Sequence, residues 1–73
     1  MAHAEPVTVI GVVREQLPSA LFRVDVDGRH QVVAHVSDRL RRNFIRLLVG
    51  DRVRVELSPA DAARGRITER LER

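Results

Sequence analysis

The sequence predicts an all-β fold, a closed Greek-key barrel of five short strands with one short helix between strands 3 and 4. Five segments have strand patterns: the first has apolar residues on both faces, and the other four alternate with the period of two that a half-buried strand requires. Between the third and fourth segments, the apolar period changes to that of a helix. This order of elements is typical of the OB-fold. An SH3-like barrel is the main competitor, and the position of the helical segment disfavours it.

Length and composition indicate one small domain. The chain has 73 residues, enough to bury roughly 60% of its unfolded surface, and it has no cysteine for disulfides or metal sites. Residues 1–5 are expected to form a flexible tail, and residues 6–73 a single domain. No segment approaches the ~20 apolar residues of a membrane span, and no leader is recognisable. We therefore expect a cytoplasmic protein without membrane contacts.

The first two predicted strands have different patterns. The first begins at Val7 and contains Gly11, which indicates a bulge or a strong bend at that residue. In the second, Phe22, Val24 and Val26 alternate with polar residues and should face the core. Both strands are therefore expected to contribute to a thin, valine-rich core.

The third and fourth predicted strands show the clearest alternation. Asp27-Gly28 is a hairpin signal that precedes the third strand. The residues expected to face the core in these two strands are Val32, Ala34, Val36, Val53, Val55 and Leu57. These strands should therefore each have one buried face and one polar face.

The last predicted strand follows a short connection. Residues 58–61 have the order serine, proline, alanine, aspartate, which predicts one helical turn. On the strand itself, the period of two would place Arg64, Arg66 and Arg70 on one face as a second basic group. Glu69 would dilute the charge of that group.

The helical segment starts at Ser37, a good N-cap. Its apolar residues, Leu40, Phe44, Leu47 and Leu48, fall at helical spacing. On its own this period predicts a helix up to Leu48, with Phe44 on the apolar face. Phe22 and Phe44 are the only aromatic residues, and both are expected in the core. A protein that stacks bases on its strands is therefore disfavoured.

Basic charge is concentrated in this segment. Residues 39–46 hold four arginines and no acid, and without them the chain has 9 basic and 10 acidic side chains. We call Arg39, Arg41, Arg42 and Arg46 the arginine cluster. A cluster of one sign on an otherwise balanced domain attracts a polyanion.

The sequence shows no pattern expected of an enzyme, a metal site or a cofactor site. It has no cysteine nucleophile and no glycine-rich phosphate loop, and His3, His30 and His35 lack metal-ligand spacing. His35 should point away from the core just before the arginine cluster, so it is a candidate contact for the same ligand. Recognition of a folded RNA through its phosphates and shape fits these features best.

Several ordered motifs resemble those of bacterial translation initiation factor one. They are G-V-V-x-E-x-L-P from Gly11, F-R-V from Phe22, A-H-V-S from Ala34, R-x-N-F-I-R-L from Arg41, G-D-R-V-x-V-E-L-S-P-x-D from Gly50 and R-G-R-I from Arg64. The resemblance extends from about residue 11 to residue 70. Alanine at position 60, phenylalanine at position 44 and glutamate at position 69 depart from the usual pattern of the family.

The resemblance implies a monomeric OB barrel that docks without catalysis near the A-site of the small ribosomal subunit. The site implied lies between the decoding region of the ribosomal RNA and a small-subunit protein, and the other two initiation factors act with it. The helix would be confined to about residues 38–43. The residues implied in RNA contact are Arg39, Arg41, Arg42, Arg46, Arg64, Arg66, Arg70 and His35.

Two other functions fit the charge pattern. One is a general RNA-binding or RNA-chaperone barrel, and the other is an adaptor whose arginines bind an acidic protein. Charge alone does not separate the first of these from an initiation factor.

Overall fold

The computed structural model describes residues 7–28 and 30–72. The five strands are β1 (Thr8–Leu17), β2 (Leu21–Asp25), β3 (Gln31–Val36), β4 (Arg52–Leu57) and β5 (Arg64–Glu72). The α-helix is α1 (Asp38–Arg42), and a short 3-10 helix (Pro18–Ala20) joins β1 to β2. The strands form a closed barrel in the order β1-β2-β3-β5-β4. β3 and β5 are parallel, and the other pairs are antiparallel. The predicted OB-fold is therefore confirmed, while the predicted tail lies outside the described residues.

The core consists mainly of small branched side chains. Its buried members are Val13, Phe22, Val24, Val26, Val32, Ala34, Leu40, Leu47, Val53, Val55 and Ile67. The inward residues predicted from the alternation in β2 and β4 are in this core or, for Leu57, packed against it. The apolar residues that recur at every second position of these strands therefore face the core, as predicted.

β1 is long enough to pair with two neighbouring strands, and its irregularity is not at Gly11. Gly11 remains in register opposite Val53, and the register shift falls between Val13 and Glu15. Of the two alternatives predicted for Gly11, a bulge or a strong bend, the bulge was therefore wrong. A Cβ atom at Gly11 would lie 2.6 Å from Cγ1 of Val24. The glycine thus permits close approach of β2.

α1 begins where predicted and ends earlier than its apolar period suggests. The Ser37 hydroxyl oxygen accepts a hydrogen bond from the Leu40 N–H at 3.3 Å. The helix ends at Arg42, so the helix to Leu48 predicted from periodicity was wrong. The shorter helix implied by the family resemblance agrees with the observed bounds to within one residue. Residues 43–51 form a loop, which we call the α1–β4 loop.

The connection between β4 and β5, residues 58–63, contains tight turns and no helix, so the helical turn predicted at residues 58–61 was wrong. The Ser58 hydroxyl accepts from the Ala60 N–H at 3.3 Å, and the Asp61 carboxylate accepts from the Ala63 N–H at 3.0 Å. Each side chain therefore satisfies an amide two residues ahead. This local bonding favours a turn over a helix.

Candidate nucleic-acid interface

The arginine cluster is exposed on α1 and the α1–β4 loop. Arg39, Arg41 and Arg42 lie on the last turn of α1, where positive charge is favoured by the helix dipole. In the part of the chain that the structure describes, no carboxylate forms an ion pair with these three side chains. Their guanidinium groups are therefore available to an external anion.

Arginines on the barrel wall have carboxylate partners. Among the described residues, ion pairs join Arg14 to Asp25, Arg23 to Glu15, Arg54 to Glu69, Arg64 to Asp61 and Arg66 to Glu56. In the first of these, Nε of Arg14 lies 2.8 Å from Oδ2 of Asp25. Charge is thus locally balanced on the wall and unbalanced at α1, which concentrates positive potential there.

The α1–β4 loop is fixed to the barrel by a buried carboxylate. Asp51 is 1% exposed, and its side chain accepts a hydrogen bond from the Leu48 N–H at 2.9 Å. The Gly50 N–H donates to the Val13 carbonyl oxygen at 2.8 Å, and Leu47 is buried in the core. The loop therefore holds its outer residues in a defined position rather than extending freely.

Arg70 belongs with the arginine cluster and not with the other arginines of β5. Ile67 pairs with Val55 and Glu69 with Arg54, so Thr68 is an extra residue in β5. This bulge places Arg70 opposite Val53, on the other face from Arg66. Nη1 of Arg70 donates a hydrogen bond to the Arg46 carbonyl oxygen at 3.0 Å. The predicted single group of three β5 arginines is therefore divided.

A second feature of the surface is an open groove of about 550 Å³, whose lining includes Arg64, Arg66 and His35. His35 and Arg66 are partners across the parallel β3–β5 pair, and the His35 side chain is exposed. Leu21 and Val33 supply apolar surface in the same groove. The sequence placed His35 beside the arginine cluster, whereas the structure groups it with two arginines of β5.

Phe44 lies on the surface, although its spacing predicts a core position. Phe22 is 7% exposed, as predicted, but Phe44 is 92% exposed. Because α1 ends before Phe44 and its φ is +56°, the helical period no longer determines its direction. The expectation that Phe44 lies in the core is therefore wrong, and its ring lies in a loop and not on a strand.

No three His, Cys, Asp or Glu residues among those described are placed to hold a metal ion. None of the helices described is long and apolar enough to cross a membrane.

The closed five-stranded barrel, with its helix between β3 and β4, places the chain among the OB-fold proteins. A family model described as "Translation initiation factor 1A / IF-1" matches residues 1–73. The chain therefore belongs to the translation initiation factor 1A/IF-1 family, and the resemblance inferred from its motifs is confirmed.

Two solved structures are similar to this chain. Translation initiation factor one from the Wolbachia endosymbiont strain TRS of Brugia malayi has 46% sequence identity and a TM-score of 0.77, and the match covers 93% of this chain and 80% of that one. YjeQ from Thermotoga maritima has 22% identity and a TM-score of 0.73 over 92% of this chain and 23% of its own. The second similarity concerns the fold alone.

Proposed function

We propose that this protein docks on the small ribosomal subunit at the A-site decoding region, and that its arginines bind phosphates of the ribosomal RNA. Membership of an initiation factor family implies association with the ribosome in general. The other two initiation factors and a small-subunit protein are the further partners in this proposal. The protein acts as a monomer in the cytoplasm and catalyses no reaction.

The main observation in support of the proposal is the positive charge of α1, which no neighbouring carboxylate neutralises among the described residues. Arg39, Arg41 and Arg42 have no ion-pair partner within the described residues, while five arginines of the barrel wall do. Unpaired guanidinium groups can each form two parallel hydrogen bonds to a phosphate without first breaking an internal ion pair. Such contacts orient a protein on RNA without reading its sequence.

The remaining candidates divide into two contacts. Arg70 supports the α1–β4 loop beside Arg46, so it belongs to the same contact as the arginine cluster. Arg64, Arg66 and His35 form the second contact, at the open groove that residues of β2, β3, β4 and β5 line. Because Arg64 and Arg66 are already paired with carboxylates of the barrel, the second contact should contribute less to affinity.

Chemical footprinting of small ribosomal subunits tests the proposal. The protein should protect bases of the A-site decoding region, and Arg14→Ala, which removes a wall arginine, should give the same pattern. A variant with Arg39, Arg41 and Arg42 all changed to alanine should lose the protection. Protection scattered over exposed RNA helices would contradict docking and indicate a general RNA-binding domain instead.

A further inference from the structure

The most exposed large apolar side chain of the described residues lies within the arginine cluster. Phe44 is 92% exposed, compared with 65% for Val49 in the same loop. Arg42 and Arg46 are its near neighbours in the chain, and both are exposed. A phenylalanine ring in this position contributes almost no burial to the stability of the barrel.

The backbone at Phe44 is also unfavourable for this residue. The Phe44 N–H donates to the Arg41 carbonyl oxygen at 3.2 Å, and the Ile45 N–H donates to that of Leu40 at 3.1 Å. These two bonds are the Schellman motif, whose left-handed position is usually glycine. Phe44 occupies that position with φ of +56°, which is costly for a residue with a bulky side chain.

The motif nevertheless fixes the backbone that carries the ring. Leu40 is in the core and Ile45 packs against it, so both ends of the Schellman motif are anchored. The backbone at Phe44 is therefore fixed, with its ring exposed, before any ligand binds. A rigid aromatic side chain loses little conformational entropy on binding. Stability does not explain phenylalanine at position 44, whereas a ligand contact does.

We propose that Phe44 binds RNA directly by stacking its ring on an unpaired base beside the phosphates that the arginine cluster neutralises. This inference rests on the proposed function, because the RNA is that of the small ribosomal subunit. Exposed arginines precede and follow Phe44 in the chain, at positions 42 and 46, and their charge favours a polyanion over an apolar protein surface. Stacking on aromatic rings combined with arginine contacts is how unpaired bases are bound without sequence preference.

The test is equilibrium binding to purified small ribosomal subunits at several salt concentrations, with protein labelled at its N-terminus. Phe44→Gly suits the left-handed backbone and should fold with an unchanged or higher melting temperature. Its binding should be weaker by roughly tenfold or more, which corresponds to ~1.4 kcal/mol and lies within the usual range for base stacking. The salt dependence should not change, because no charge is removed.

Three further variants identify the kind of contact. Phe44→Tyr keeps the aromatic face and should bind within about twofold of the wild type. Phe44→Leu keeps apolar surface without an aromatic face and should be as weak as Phe44→Gly. Val49→Ala, a control at another exposed apolar residue of the loop, should bind like the wild type.

Each contrary result has a distinct meaning. If Phe44→Gly binds like the wild type, the ring does not contact the ligand and the inference is overturned, while the proposed function stands. If Phe44→Leu retains wild-type affinity but Phe44→Gly does not, the contact is an apolar protein surface and stacking is overturned. If the wild-type protein does not bind the subunit, the proposed function fails and the inference fails with it.

Discussion

Phe22 and Phe44 are the only two aromatic residues of the chain, and only Phe22 is in the core. Phe22 lies in a strand whose alternation continues on both sides, so its direction could be predicted. Phe44 fits a helical period, but the helix ends two residues before it. No glycine marks that end in the sequence, because phenylalanine itself occupies the left-handed position.

The arginines of α1 could be predicted as a cluster, but their lack of partners could not. Residues 39–46 contain no acid, which is visible in the sequence. Whether acids from elsewhere reach them depends on which strands surround α1. The acids of the barrel wall pair with arginines on neighbouring strands instead, as Glu56 does with Arg66. This division of charge is a property of the fold.

Arg42→Ala tests the cluster at the scale of one residue. The side chain is exposed and has no ion-pair partner among the described residues, so its loss should change the free energy of unfolding by less than ~0.5 kcal/mol. Affinity for the small ribosomal subunit should fall several-fold, as measured by equilibrium binding. Arg14→Ala, with the same change of charge on the wall, is the control and should leave affinity unaltered.

At the scale of elements, strands were predictable and their irregularities were not. The alternation in β2, β3 and β4 identified the buried faces because one face of each strand packs on the core. The extra residue in β5, Thr68, has no sequence marker, and it transfers Arg70 to the side of the α1–β4 loop. Gly11 is the opposite case: the glycine suggested an irregularity in β1, but it lies in a regular part of the strand and lets β2 pack closely against it.

Substitutions of Asp51 test how the α1–β4 loop is fixed to the barrel. Its buried carboxylate accepts from the Leu48 N–H, so Asp51→Ala leaves that amide without its partner. The expected loss is ~1–3 kcal/mol in the free energy of unfolding, measured by chemical denaturation, with faster hydrogen exchange at Leu48. Asp51→Asn keeps an oxygen that can accept this bond and should recover most of the loss. Equal destabilisation by both variants would show that this hydrogen bond is not what fixes the loop.

At the scale of the whole molecule, the net charge of +3 is not spread over the surface. Five wall arginines pair with neighbouring acids, while residues 39–46 carry four arginines and no acid. The barrel therefore presents one cationic end to a polyanion. Closure of the sheet also leaves the described strands without a free edge for pairing with another chain, which fits the expected monomer.

The salt dependence of binding to the small ribosomal subunit tests this account most directly. If the arginine cluster neutralises about four phosphates, the slope of log K against log salt should be roughly −3 to −4 for the wild-type protein. In the variant with Arg39, Arg41 and Arg42 all changed to alanine, the slope should be shallower by roughly 2 to 3, since three cluster arginines are removed. A flat plot for the wild type, or an unchanged slope for the variant, would contradict docking through the arginine cluster.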